Sequence, residues 1–360
     1  MKKKAGIILL LFCVIFVVAC NKKEDPTDID QEETDDIDQT IEPSEEVTEE
    51  SNEIIPDGYA KSRLTGLYVP GDVASSRPYA IMISNIKVVN PQSGTEEASI
   101  LYESLVEGGI TRHMGVFEEF HPERIGSIRS GRQYFASIAD EYDAVLVSFG
   151  ESSYCTEKIK ELNLNQLSGL RGEGSTVFYR DNSIKAPHNA FTSKEGLAKG
   201  IAKKEFRTAY DEKLINHFSF YNTDTDLLGD QNVNKLTLKF SSYTSPYFTY
   251  DAENKTYLRF QHGGAHIDAN SSKQLEFKNI IVQFVDGFSI DETKSFSFKQ
   301  ADGEGYYISN GKAVPITWDK SESDRSMIYY NSDKNMLEIN PGKTYIAIFP
   351  GNRTSDVVFE

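Results

Sequence analysis

The sequence is short of cysteine, of tryptophan and of base. It has 3 Cys and 1 Trp in 360 residues, and 38 Lys+Arg against 55 Asp+Glu, for a formal charge of −17. Residues 24–55 contain 15 acids and no base at all. After residue 19 no apolar run approaches the ~20 residues that a spanning helix needs. A multi-pass membrane protein is thereby excluded. The lack of a concentrated basic surface argues against a nucleic-acid partner. Cys13 lies in the apolar leader and Cys20 at its end, so only Cys155 remains in the body. No intrachain disulfide can form, and a body of about 300 residues must be held by its own core. There is no G-x-S-x-G elbow either; Ser127 and Ser130 sit in Gly-Ser-Ile-Arg-Ser-Gly. No repeat recurs at a solenoid period.

What is present begins with an address. Lys2, Lys3 and Lys4 precede an apolar stretch from Ala5 to Val18, which ends Val17-Val18-Ala19-Cys20. A basic start, an apolar stretch of this length and small residues before a Cys are the features of a bacterial lipobox. Residues 1–19 are expected to be a signal peptide and Cys20 the lipidated first residue of the mature chain. Its acyl chains would hold the protein on the extracytoplasmic face of the cell membrane, as in Gram-positive bacteria. Residues 20–62 read as an acidic, disordered tether, too polar to bury a core. Fully extended, Glu24 to Glu53 could reach on the order of 100 Å.

From Arg63 onward apolar periodicity begins. Pro78 to Ser84, Ala98 to Val106 and Thr111 to Phe117 read as strands, and Arg132 to Tyr142 as a helix. The strand Ile125 to Ile128, that helix, and the strand Ala144 to Phe149 suggest a βαβ unit with a right-handed crossover. Thr156 to Leu162 and Ser193 to Phe206 read as further helices, the second headed by a capping serine. After about Leu214 the strands become short, alternating and separated by turns. Asn310-Gly311 is the best hairpin signal among them. The fold expected is α+β, with an N-terminal α/β-type domain over 63–213 containing the βαβ unit and a mainly antiparallel β domain over 214–360.

Several phrases together resemble a family of bacterial lipoproteins typified by YerB. They include Arg77-Pro78-Tyr79-Ala80-Ile81-Met82-Ile83-Ser84-Asn85, Pro91-Gln92-Ser93-Gly94 and Glu107-Gly108-Gly109-Ile110-Thr111-Arg112. Ile128-Arg129-Ser130-Gly131-Arg132-Gln133-Tyr134-Phe135, Lys185-Ala186-Pro187-His188-Asn189 and Asn340-Pro341-Gly342-Lys343-Thr344 are similar too. The resemblance covers about Arg63 to Pro350. It departs from the family pattern at Gly131-Arg132-Gln133, where Ala-Arg-Pro is usual, and at Glu151, where a second Gly is usual. It implies a surface lipoprotein with a two-part body and no particular reaction.

Glu103, Glu107, Arg112, Arg129, Arg132, Arg180, Asp181, His188 and Asn189 form the most suggestive constellation. Many flank strand ends or glycines, where α/β proteins place ligands. Arg129 and Arg132 bracket a helix start, where free amides also favour an anion. The cluster reads either as an anionic-ligand site, with Arg112, Arg129, Arg132, Arg180, Asp181, His188 and Asn189 as ligand-binding residues, or as a structural ion-pair network. The role expected is non-catalytic binding of an envelope polymer or a membrane-protein partner. The alternatives are a cell-wall hydrolase using Glu103 or Glu107 with His188, and a purely structural interaction module. No cofactor and no metal is expected. His262 and His266 are separated by two glycines, and Asp224-Thr225-Asp226 leads to Leu228 where a calcium loop needs a ligand. Pro341-Gly342-Lys343-Thr344 lacks the first glycine of a phosphate-binding loop.

Overall fold

The computed structural model describes residues 55–289, 296–320 and 326–360. The expected signal peptide, Cys20 and most of the tether lie outside them. Order starts slightly before the expected boundary: Tyr59–Lys61 pairs antiparallel with Tyr68–Pro70. Residues 54–360 form one compact unit.

Its spine is a mixed sheet of eleven strands among the described residues. In chain order the labelled strands are β1 (Tyr79–Ser84), β2 (Ile100–Leu105), β3 (Thr111–Phe117), β4 (Val145–Ser148), β5 (Gln166–Ser168), β6 (Asn279–Val285), β7 (Asp302–Ser309), β8 (Lys312–Asp319) and β9 (Thr344–Pro350). Across the sheet they run β8, β7, β6, β9, β2, β3, β1, β4, β5. Residues 231–232 and 328–330 complete it as short pairings on β8. β3 is antiparallel to both neighbours, whereas β1, β4 and β5 are mutually parallel, as are β2, β9 and β6. With β8, which is antiparallel to β7 as β7 is to β6, seven of the labelled strands therefore finish at one end of the sheet, beside the start of β3. The strands of the second half join those of the first through the parallel pair β2–β9, so the sheet runs across the boundary expected near Leu214.

Both faces of this sheet are covered. Strand side chains alternate, so one face carries Met82, Tyr102, Met114 and Ile346, and the other Ile83, Leu101, Phe117 and Tyr345. On the first face pack helix α1 (Gln133–Glu141), through Tyr134, Phe135 and Ile138, and helix α2 (Ser153–Glu161), through Cys155 and Ile159. The second face meets helix α3 (Lys194–Lys204) at one end. Toward the other it meets a smaller antiparallel sheet that includes residues 235–238, 247–251, 256–261 and 357–359. Helix starts follow their caps. Ser152 accepts from the Cys155 amide and Ser193 from the Gly196 amide, so α2 begins before the expected Thr156.

The expected βαβ unit needs a correction. Ile125-Gly126 pairs antiparallel with residues 191–192 in a small separate sheet, and Ile128 bridges Ile83 antiparallel. Only two residues there hold a regular ladder, too few to enter the main sheet beside β4. The parallel neighbour of β4 is instead β1, while β4, α2 and β5 form a parallel strand–helix–strand unit one element further on.

The hairpin at Asn310-Gly311 is as expected. Ser309 pairs with Lys312, and the two turn residues have φ of 49° and 75°. A Cβ on Gly311 would meet the Tyr250 ring at 2.9 Å. Gly311→Ala is therefore expected to cost about 1–2 kcal/mol, through left-handed backbone and contact together. Denaturant unfolding would read this; an unchanged midpoint would contradict it.

Candidate functional site

The main sheet divides the expected constellation in two. Arg112 pairs with Ser84 on one side and Ser104 on the other, whereas Glu103 pairs with His113. Neighbouring residues on a strand face opposite ways, so Arg112 points to the helical face and Glu103 to the face under the smaller sheet.

On the helical face three arginines lie at the end of the sheet where β1 and β2 finish and β3 starts. Arg112 is 5 % exposed and donates from Nη1 to the Ser130 carbonyl at 2.7 Å. Among the described residues no carboxylate lies at ion-pair distance from it, and its Nε has no hydrogen-bond partner. Arg132, the N-cap residue of α1, grips Glu107 with two bonds of 2.8 and 2.6 Å. Its Nη1 reaches the Gly131 carbonyl at 2.9 Å. Arg129 donates to the Pro187 carbonyl at 3.0 Å, beside His188, whose Nδ1 is buried without a partner. Burial, and next the Arg132 charge, push the Arg112 guanidinium down to about 9. The same two causes lower Arg129, and burial with Arg129 lowers His188. Burial alone would raise Glu107, but the Arg132 fork outweighs it and holds the carboxyl low. Arg180 is held by neutral Asn189 at 2.6 Å and lies 4.7 Å from the Phe149 ring centroid. Asp181 is taken by Arg124 at 2.7 Å. Glu151 is taken by Arg171 at 2.7 Å.

The face under the smaller sheet holds a closed network. Glu103 and Arg259 are both 0 % exposed and meet at 2.6 Å. Glu103 also accepts from Tyr345 (2.7 Å), Thr111 (2.6 Å), Asn85 (2.9 Å) and His113 (3.1 Å). Arg259 donates to His266 Nδ1, and His266 Nε2 meets the side-chain Oε1 of Gln92 at 2.6 Å. These partners assign Nε2–H to both histidines in the neutral form. Burial would raise the Glu103 carboxyl; Arg259, then His113, hold it far below the usual carboxylate range. Burial lowers His113 despite Glu103, and burial with Arg259 drives His266 lower still.

Sequence reasoning brought Arg112, Arg129, Arg132, Glu107 and His188 together. It also grouped Glu103 with them, which the sheet separates. It missed Arg259, His113, His266 and Gln92. One signal was available: in Tyr257-Leu258-Arg259-Phe260-Gln261 the inward positions carry Tyr, Arg and Gln, while Leu258 and Phe260 are half-exposed. A polar residue on the inner face of an alternating strand calls for a buried partner.

Other expectations resolve into structure. His262-Gly263 forms the turn of a tight hairpin, with Gln261 paired to Gly264. Asp224 binds Lys278 at 2.6 Å and Lys255 at 3.0 Å. Lys343 binds the Glu96 carboxylate at 2.8 Å. Trp318 is core, donating to the Glu304 carbonyl at 3.1 Å. Among the described residues no group of three or more His, Cys, Asp or Glu is placed to hold a metal. No described helix is long and apolar enough to cross a membrane. A cavity of about 400 Å³, lined in part by Tyr79, Val145 and Leu197, opens at the opposite strand ends from the arginines. Two of its bases, Arg77 and Arg207, are turned onto Asp143.

Comparison with known proteins agrees with the fold. "Putative lipoprotein YerB" of Bacillus subtilis (strain 168) is 28% identical over 269 residues, which is 72% of this chain and 77% of that protein. The crystal structure of YerB from Bacillus subtilis superposes with a TM-score of 0.75 at 24% identity, covering 84% of this chain and 99% of that one. The family described as "Protein of unknown function (DUF3048)" matches with its N-terminal domain over residues 64–207 and its C-terminal domain over residues 236–346. The chain belongs to this family, whose N-terminal and C-terminal domains it carries in order.

Proposed function

We propose that the protein is anchored by lipid at Cys20 on the extracytoplasmic face of the cell membrane and binds an anionic envelope component through Arg112, Arg129 and Arg132. The observation that carries this is Arg112: a buried guanidinium with an unpartnered Nε and, among the described residues, no carboxylate at ion-pair distance, beside Arg132, which is forked onto Glu107, and Arg129, which meets only the Pro187 carbonyl. A buried cation without a counter-ion costs several kcal/mol. A bound anion offsets that cost. The strand ends and the start of α1 are where mixed and parallel sheets gather ligands.

A hydrolase is less well supported. Both Glu103 oxygens are engaged and solvent does not reach them, while Glu107 is clasped by Arg132 in a two-bond fork. Neither carboxyl is free to protonate a leaving group or to activate water.

Arg132→Ala removes a guanidinium and releases the Glu107 charge into the cluster. Binding of the full chain to purified cell-wall fragments is expected to weaken at least about tenfold, the equivalent of ~1.4 kcal/mol. Unchanged binding would sink the ligand reading. The anchor is tested separately. Cys20→Ala is expected to release the protein to the medium, and continued membrane retention without acyl mass would refute lipidation.

A further inference from the structure

The charge count at the arginine cluster narrows the ligand. Arg112 and Arg132 both reach the Ser130 carbonyl, at 2.7 and 3.5 Å, with Arg129 one residue away from it in the chain, and among the described residues Arg132–Glu107 is the one ion pair these three arginines make. The nearby acids Asp181 and Glu151 are spent on Arg124 and Arg171. Two positive charges are left over. A monoanion would leave one of them unmatched; a dianion would match both.

The donors present suit tetrahedral oxygens. Arg112 has an Nε–H with no hydrogen-bond partner, closed off from solvent in the free protein, and Arg129 is half-buried with only a carbonyl for a partner. The N-cap of α1 has no side-chain cap, so the first amides of a nine-residue helix face the same place. His188 Nδ1 adds a further unpartnered ring nitrogen beside Arg129. At Gly108, with φ of 76°, a side chain would enter open space, so the rim is unobstructed on that side.

Resting on the anion-site reading above, we infer that the ligand is a dianionic phosphomonoester, held by Arg112, Arg129 and the first turn of α1. Forked guanidinium donors and helix amides are the groups that recognise phosphoryl oxygens. The phosphoryl group could belong to free phosphate, to a phosphorylated sugar or to a lipid headgroup; the chemistry at the arginines is the same.

Calorimetric titration of the full chain in detergent tests this. The probes are inorganic phosphate, glucose 1-phosphate and glycerol 3-phosphate, the last standing for a lipid headgroup. Diethyl phosphate, a singly charged diester, and succinate, a carboxylate dianion, are the comparisons. At least one phosphomonoester is expected to bind at least about tenfold more tightly than either comparison, and the tightest identifies the source. Arg112→Met and, independently, Arg129→Ala are each expected to weaken it at least about tenfold. Thermal unfolding of both variants checks that the fold survives. If succinate or diethyl phosphate binds as well and Arg112→Met abolishes it, the phosphomonoester inference fails while the anion site stands. If no probe binds, or binding is unchanged in both variants, the inference and the anion-site reading fall together.

Discussion

Replacing Glu103 with alanine is expected to destabilise the protein by about 3–5 kcal/mol, because it strands a fully buried Arg259. That is a large share of the roughly 5–15 kcal/mol that holds a typical domain together. The loss is larger than for an ordinary hydrogen bond because five groups converge on this carboxylate. Thr111, Asn85 and Tyr345 would also lose their acceptor. The pair itself need not be stabilising. Taking two charges out of water costs about as much as their attraction returns, so Glu103→Leu combined with Arg259→Met is expected to lose much less than the single variant. Denaturant unfolding of the double variant and of its two component single variants, Glu103→Leu and Arg259→Met, reads this as a double-mutant cycle. A single variant within about 1 kcal/mol of the parent would show that the network is not the lock between the main sheet and the smaller one.

Stability is also expected to fall steeply as pH drops below about 6.5. His113, His217 and His266 are buried, and burial is the first cause that lowers each of them, His217 to about 3. A histidine whose folded pKa lies below its unfolded value binds fewer protons when folded. Its contribution is fully present above about pH 6.5 and is lost as pH falls toward the folded value, at up to ~1.4 kcal/mol per pH unit. For His217 the window runs from about 6.5 down to about 3. Glu103, also lowered, adds its own loss below about pH 4.3. Glu141 beside His217 is pushed up by burial and opposes the trend. His217→Phe keeps a ring against Tyr142, whose centroid lies 4.1 Å away. It is expected to flatten the decline between pH 6.5 and 4.5 by up to about 1.4 kcal/mol per unit. Urea unfolding across that range is the measurement; an unaltered slope would mean that His217 titrates normally.

Local features were legible in the sequence and distant ones were not. Thr111 to Phe117, the helix beginning at Arg132 and the Asn310-Gly311 hairpin are each written into a few adjacent residues. The pairing of Ile100–Leu105 with Thr344–Pro350 joins segments over 200 residues apart, and no local pattern announces it. The division of Glu103 from Glu107 and the arginines was hidden for a related reason. Both faces of β2 are covered, so its six residues are all buried and no alternation marks the side to which Glu103 turns. Arg112 illustrates the opposite limit. Its type and its place after two glycines suggested an anion, but only the structure shows that every nearby carboxylate is already engaged elsewhere.

That surplus of guanidinium is directly observable. Crystals of the full chain soaked in tungstate, a heavy tetrahedral dianion, would give an anomalous peak wherever such an ion is held. A peak is expected within hydrogen-bond reach of Arg112 and Arg129, at the start of α1, and is expected to disappear in Arg112→Met. Peaks confined to surface lysines, with none at the arginine cluster, would contradict the anion site.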